Sequence, residues 1–160
     1  MNGCDRDICL QNDYNGIECK DCVVMKRRQK MIEWNKERLE NNGYTIENAV
    51  IKSVDLSMAA RGYLVLTMEL EGDGWGCVYG GDGLGKGFVG ASKFEGSKNG
   101  IEYLMRIMNI VECDTFNQLE GKYVRVAAKG WGGSIKIIGN PIKDKWFDAK
   151  SFFEEADNDK

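Results

Sequence analysis

Glycine is concentrated in one part of this chain, where eleven of the 20 glycines lie between residues 72 and 100. Glycine weakens regular structure, so this stretch leaves room only for short extended pieces, such as residues 75–79 and 86–90. Residues 80–86 also match the G-x-x-x-x-G-K pattern of a phosphate-binding P-loop. The match is incomplete because Gly87 stands where Ser or Thr would hold magnesium, and poor helix formers follow it. We therefore expect closely packed backbone, or a loop whose amides approach a phosphate or a base, with Trp75, Tyr79 and Phe88 able to stack on the base.

Apolar residues outside this stretch predict an α+β fold. Residues 49–58 and 62–70 are rich in alternating apolar side chains and predict a pair of strands. Residues 122–129 and 134–140 predict a β-hairpin across the glycines at 130–133. The expected architecture is an antiparallel sheet with a central helix and short C-terminal helices.

The central helix is predicted to begin at Ser97 or Asn99, both good capping residues. Its apolar side chains recur at helical spacing and predict one buried face, made by Ile101, Leu104, Met105, Met108 and Val111. The short C-terminal helices are predicted for residues 115–121 and for the residues after Asp148, whose side chain can cap the helix.

The N-terminal segment contains four cysteines in a short polar stretch: Cys4, Cys9, Cys19 and Cys22. In a reducing compartment such thiols suggest a structural zinc site, a small zinc-knuckle-like segment that apolar burial alone could not fold. The alternative is a disordered tail with incidental thiols. A basic helix is expected from residue 25 to residue 41. The predicted organisation is a Cys-rich zinc segment at 1–24, a basic helix and linker at 25–43, and an α+β domain at 44–156.

Charge and composition exclude several classes of protein. The net charge of −3 argues against a chain that binds polyanions over its whole surface. No apolar run reaches the roughly 18 residues of a membrane-spanning helix, and no signal peptide is recognisable. The chain has no histidine, which removes the commonest general base and any Cys-His nucleophile. We therefore expect a cytoplasmic protein that contacts no membrane and has no catalytic residues.

Two arginines lie beside aromatic side chains. Arg106 follows Tyr103 by three residues on the central helix, and Arg125 alternates with Tyr123 on a strand. An arginine beside an aromatic ring can hold a phosphate and a base together, but the same pairs are equally common as surface residues.

Residues 46–153, about two thirds of the chain, resemble a family of small phage-encoded proteins, the first anti-Thoeris sponge family. The strand pair leads into "GGDGL" at 80–84, and "GIEYLMRI" at 100–107 follows the family's helix pattern G-x-E-[YF]-[IL]-x-R-I. The strand "LEGKYVRV" at 119–126 and the ending "IGNPIKDKWF" at 138–147 match the remaining two patterns.

The resemblance implies a function and a set of ligand-binding residues. Family members bind cyclised ADP-ribose signalling molecules, some also bind cyclic oligonucleotides, and they do not degrade the ligand. It implies homodimers or larger homo-oligomers in the cytoplasm of the bacterial host. By motif position the ligand-binding residues are Tyr103, Arg106, Arg125, Asn140 and Trp146, to which the glycine-rich stretch adds Phe88.

Two other functions fit the sequence. The cysteines and the basic run "KRRQK" at residues 26–30 would suit a zinc-containing nucleic-acid-binding phage protein, although nearby glutamates dilute the charge. Exposed aromatic residues such as Trp34 and Trp131 would suit a phage factor that inhibits a host protein by direct contact.

Overall fold

The computed structural model describes residues 33–59, 62–130, 132 and 134–157. The chain divides into two units, Met1–Ile32 and Glu33–Lys160, and all of the described residues belong to the second. The predicted zinc site at Cys4, Cys9, Cys19 and Cys22 lies outside the described residues, as do Trp131 and the basic run.

The described unit has an α+β fold, as predicted. A seven-stranded curled antiparallel sheet carries a central helix and a C-terminal helix. The strands are β1 (Thr45–Ala59), β2 (Tyr63–Glu71), β3 (Gly76–Lys86), β4 (Glu95–Gly96), β5 (Tyr123–Ala128), β6 (Ile137–Gly139) and β7 (Trp146–Asp148). The helices are α1 (Lys36–Asn41), α2 (Lys98–Val111) and α3 (Ala149–Asp157). The strand order is β4-β3-β2-β1-β5-β6-β7.

Strand β1 lies at the centre of the sheet and joins its two halves. One edge of β1 pairs with β2 and the other with β5, so that Val50 has Glu71 on one side and Tyr123 on the other. The predicted strand pair and the predicted C-terminal hairpin are both confirmed, since β1 pairs with β2 and β5 with β6.

The glycine-rich stretch contains a continuous strand rather than short extended pieces or a loop. Strand β3 covers the whole P-loop-like pattern, and Gly80, Gly83 and Gly85 are paired with β2. The register with β2 shifts twice, because β3 has extra residues between its paired positions. Such bulges bend a strand and increase its twist, which accounts for the curl on this side of the sheet.

Helix α2 begins where the sequence predicted, but its buried face differs from the prediction. The Ser97 hydroxyl accepts a hydrogen bond from the Gly100 amide at 3.1 Å and caps the helix. The buried residues are Gly100, Tyr103, Ile107, Ile110 and Val111, whereas Ile101 and Met105 are 59% and 64% exposed. Of the predicted face, Val111 is buried and Leu104 and Met108 are half-buried, so the prediction was wrong at Ile101 and Met105. Gly100 explains the rotation, because a Cβ there would lie 2.1 Å from the Leu84 carbonyl oxygen, a contact only glycine allows.

The shorter helices also differ from the sequence prediction. The helix expected from residue 25 to residue 41 is not continuous, because Asn35 is extended and caps a helix that begins at Lys36. Leu39 of α1 is fully buried against Ala127 and Ile137. Only a 3₁₀ turn, Phe116–Gln118, forms in place of the helix predicted at 115–121. Asp148 caps α3 as expected, accepting from the amides of residues 150 and 151. Among the helices that the structure describes, none is long and apolar enough to span a bilayer.

Candidate functional site

Three of the residues implied by the resemblance lie together at the turn between β6 and β7. Arg125 donates to the carbonyl oxygens of Asn140, at 2.7 Å, and Lys143, at 2.6 Å, and its guanidinium lies 4.7 Å from the centre of the Trp146 ring. The buried Asn140 side chain donates to the Ile110 carbonyl at 2.9 Å. These polar groups bond to the protein's own backbone, so the cluster fixes the turn and ties it to the end of α2.

The two residues on α2 lie apart from that cluster. Tyr103 is fully buried, with its ring centroid 5.8 Å from that of Phe147. Arg106 makes two hydrogen bonds to Glu102 Oε1, at 2.9 and 2.6 Å, and lies over the Phe152 ring at 5.2 Å. Phe88 is 58% exposed in the segment after β3. In the described part of the chain, no hydrogen bond, ion pair or ring contact joins Phe88 to the other five residues.

A cavity of about 240 Å³, here called the Trp75 cavity, lies between β1, β5 and the start of β3. Glu47 of β1 and Val126 of β5 are directly paired and both line it. Trp75 lines it where the β2–β3 hairpin turn ends, and its indole packs against Gly72. A Cβ on Gly72 would stand 2.0 Å from that ring, so the glycine is what allows this position of the tryptophan.

Cys77 also lines the Trp75 cavity. Burial raises the pKa of the Cys77 thiol, so that at neutral pH it is protonated and uncharged. The cavity therefore combines an aromatic ring, a neutral thiol and a carboxylate.

A second cavity, of about 180 Å³ and here called the lysine cavity, is lined by Lys129, Lys136, Lys150, Ser134 and Asp148 among others. Three lysines and one carboxylate give the lining a net charge of +2. Lys136 Nζ lies 3.0 Å from both carboxylate oxygens of Asp82. Asp148 is occupied as well, accepting from Trp34 Nε1 at 3.1 Å and from the Ser151 hydroxyl at 2.8 Å.

Ala128 and Gly130 line both cavities, so the two meet at the end of β5. Above that end they lie on opposite faces of the strand, because Val126 lines the first cavity and Ala127 the second. Sites for small molecules usually enclose about 300 Å³ or more, so neither cavity alone reaches that size. The result is an aromatic compartment next to a cationic one at the loop between β5 and β6. A flat base can stack in the aromatic compartment, and a phosphate group attached to it can bind in the cationic one.

None of the six predicted ligand-binding residues lines either cavity. Of the residues that do, Trp75 stood out in the sequence as an aromatic side chain within the glycine-rich stretch. No sequence pattern marks the three lysines of the lysine cavity, because they come together only when β5, β6 and α3 are assembled. They are Lys129, Lys136 and Lys150. Within the described ranges, no group of three or more His, Cys, Asp or Glu side chains is placed to hold a metal ion.

Comparison of the chain with known protein families, with functionally characterised proteins and with experimentally determined structures finds no significant match.

Proposed function

We propose that this protein binds a cyclic nucleotide of the cyclic ADP-ribose type without converting it. In this proposal it is a phage anti-Thoeris sponge that withdraws an immune signal in the cytoplasm of the bacterial host. The resemblance described above supplies the class of ligand. The observation that carries the proposal is the pair of cavities that meet at the end of β5, one aromatic and one rich in lysine.

The paired cavities suggest how such a ligand would lie. Its adenine would stack on Trp75, since base stacking on an aromatic side chain stabilises binding by about 1–3 kcal/mol. Its diphosphate would lie among Lys129, Lys136 and Lys150 with Ser134 as a further donor. Lys136 would then exchange part of its interaction with Asp82 for one with the phosphate.

In this proposal the Arg125 cluster supports the site rather than forming it. Arg125 and Asn140 lie at the turn end of the β6–β7 hairpin, whereas Lys136 and Asp148 lie at its open end. Replacing Arg125 would therefore weaken binding indirectly, by loosening the hairpin that positions both residues.

Several observations favour binding over catalysis. The chain has no histidine to act as a general base. Asp82 and Asp148 near the lysine cavity are held by Lys136 and by the α3 cap, respectively. A tight-binding protein that leaves its ligand intact agrees with this chemistry.

We also propose that the protein forms a homodimer or a larger homo-oligomer. Ile101 and Met105 form an exposed apolar patch on α2, 59% and 64% accessible. Exposed apolar side chains that lie together are typical of protein interfaces. Sedimentation at micromolar concentration tests this, and a purely monomeric protein would contradict it.

Calorimetric titration with glycocyclic ADP-ribose isomers, alongside cyclic di- and tri-adenylates, tests the proposed function. We expect binding by the wild-type protein, and a loss of affinity of about tenfold or more in a Lys129→Ala/Lys150→Ala variant, because two phosphate contacts disappear. Lys143→Ala is the matched control, since Lys143 is exposed, pairs with Glu112 and lies outside both cavities.

Two results would contradict the proposal in different ways. No heat across the panel with folded wild-type protein would exclude the function. Recovery of a converted product after heating the complex would exclude the non-enzymatic mechanism. If Lys129→Ala/Lys150→Ala bound normally while Arg125→Ala, shown to be folded, did not, the site would belong at the Arg125 cluster instead.

A further inference from the structure

Glu47 is the acidic residue of the Trp75 cavity. It is half-buried on β1, opposite Val126, and lines the cavity together with Trp75. Within the described part of the chain, its carboxylate makes no hydrogen bond and no ion pair. Among the described residues, the other carboxylates near the paired cavities each have a partner of their own, namely Asp82, Asp148 and Glu154. Glu47 is therefore the acceptor that a ligand in this cavity would meet.

An ionised carboxylate only accepts hydrogen bonds, so its counterpart must be a donor. Stacking on Trp75 tolerates any base, because every base has a π-face, and it cannot by itself select one. A polar group in the wall of the cavity can select one base over another. A base that leaves this group without a hydrogen bond binds more weakly, because the group has lost its hydration and gained no partner.

We propose that Glu47 makes the Trp75 cavity select a purine that carries an exocyclic amino group. Adenine presents such a group at C6 and guanine at C2, next to a second donor at N1. Hypoxanthine has no amino group. It keeps a donor at N1, but the C6 oxygen that stands in place of the adenine amino group would repel the carboxylate. This inference rests on the proposed function, because it assigns a base preference to the same site.

The test compares dissociation constants for glycocyclic ADP-ribose and for its counterparts with hypoxanthine or guanine in place of adenine. The wild-type protein is expected to bind the adenine form about tenfold more tightly than the hypoxanthine form, since a hydrogen bond to a charged group is lost. The guanine form, which regains an amino group, is also expected to bind more tightly than the hypoxanthine form.

Glu47→Gln is the informative variant, because glutamine has the same shape and can both accept and donate. In Glu47→Gln the preference for adenine over hypoxanthine is expected to fall to about twofold or less. Removing a negative charge near the diphosphate raises the affinity for both ligands by a similar factor, so this effect leaves the ratio of the two affinities unchanged. Glu71→Gln is the control, since Glu71 lies on β2, pairs with Lys52 at 3.0 Å and lines neither cavity. It should keep the wild-type ratio.

The outcomes separate this inference from the proposed function. Equal affinities for the adenine and hypoxanthine forms, or a preference that survives in Glu47→Gln, would overturn the inference and leave the sponge function standing. A guanine form that binds no better than the hypoxanthine form would overturn the extension to amino-bearing purines in general. If none of the three ligands binds the wild-type protein, the proposed function fails and this inference fails with it.

Discussion

Two tyrosines in the core carry hydroxyl groups into an apolar environment. Tyr79 of β3 and Tyr103 of α2 are both fully buried. Their hydroxyls interact electrostatically with each other, but among the described residues neither makes a hydrogen bond of ordinary geometry. Burial is the main cause that raises the pKa of both tyrosines, and the Asp82 carboxylate raises both further.

These raised pKa values predict a loss of stability at alkaline pH. Below the ordinary tyrosine pKa of 10.0 the folded and unfolded chains bind the same protons, so the free energy of unfolding is unaffected. Above it the unfolded chain loses protons that the folded chain keeps. Stability should then fall by about 1.4 kcal/mol per pH unit for each buried tyrosine. Urea unfolding between pH 8 and pH 11.5 measures this slope.

Tyr103→Phe provides the control for that experiment. The variant keeps the ring in the core and removes one titrating group. Above pH 10 its loss of stability per pH unit should therefore be smaller by about 1.4 kcal/mol. At neutral pH its stability should change little, because the lost hydroxyl has no partner of ordinary geometry. If the free energy of unfolding falls equally steeply with pH in the variant and in the wild-type protein, Tyr103 does not contribute to the loss of stability.

The sequence could predict that Tyr103 and Arg106 are neighbours, but not which of them faces the sheet. Their three-residue spacing places both on adjacent surface of any helix. Burial depends on how the helix is rotated, which the contact between Gly100 and the Leu84 backbone decides. No pattern within α2 itself reports that contact.

At the level of elements, β3 shows how glycines shape the sheet. Gly80 and Gly81 are consecutive and both have positive φ, +105° and +83°. They differ in their surroundings, because a Cβ on Gly80 would lie 2.2 Å from the Leu66 carbonyl oxygen, whereas nothing lies within 4 Å of one on Gly81. The two positions therefore separate the cost of a left-handed backbone from the cost of a close strand contact.

We expect Gly81→Ala to lower the free energy of unfolding by about 1–2 kcal/mol, the cost of a side chain in left-handed backbone. Gly80→Ala should cost at least about 2 kcal/mol more, since β2 and β3 must also move apart. Chemical denaturation of both variants measures the difference. Equal losses would mean that the bulge relaxes easily and that the close approach to β2 does not constrain the strand.

The sequence predicted paired strands best where apolar residues alternate, as in β1, β2 and β5. It did not predict β3 as one strand, because five of the eleven residues in β3 are glycines and carry no alternation of their own. Pairing with β2 through Leu70, Met68 and Leu64 holds β3 extended. The strand is thus specified by its neighbour rather than by its own propensity.

On the scale of the whole molecule, one ion pair connects distant strands of the curled sheet. Asp82 lies on β3 and Lys136 lies just before β6, and three strands separate β3 from β6 in the sheet. Their side chains are 24% and 28% exposed, so the pair is partly shielded from water. The sequence gives no sign of this contact, because it depends on the curl produced by the bulges of β3.

A double-mutant cycle with Asp82→Asn and Lys136→Met tests whether this pair stabilises the curl. We expect a coupling energy of about 1 kcal/mol in the free energy of unfolding, since each single variant leaves one partner unpaired. The Lys52–Glu71 pair, 55% and 57% exposed, is the comparison and should show coupling near zero. Strictly additive losses for Asp82 and Lys136 would mean that packing alone holds the two strands together.

The strand order also has a consequence for how the molecule folds. In the part of the chain described here, every strand pair joins neighbours in sequence except β1 with β5, where Thr45 meets Ala128. The two meanders, β1 to β4 and β5 to β7, can each form locally, but closing the long loop between β1 and β5 carries the largest entropic cost. We expect this pairing to limit the folding rate. Glu47 and Trp75 belong to the first meander and the three lysines to the second or its flanks, so the paired cavities exist only after this last pairing. Binding of the proposed nucleotide, followed during refolding, would therefore report the completion of folding rather than its early steps.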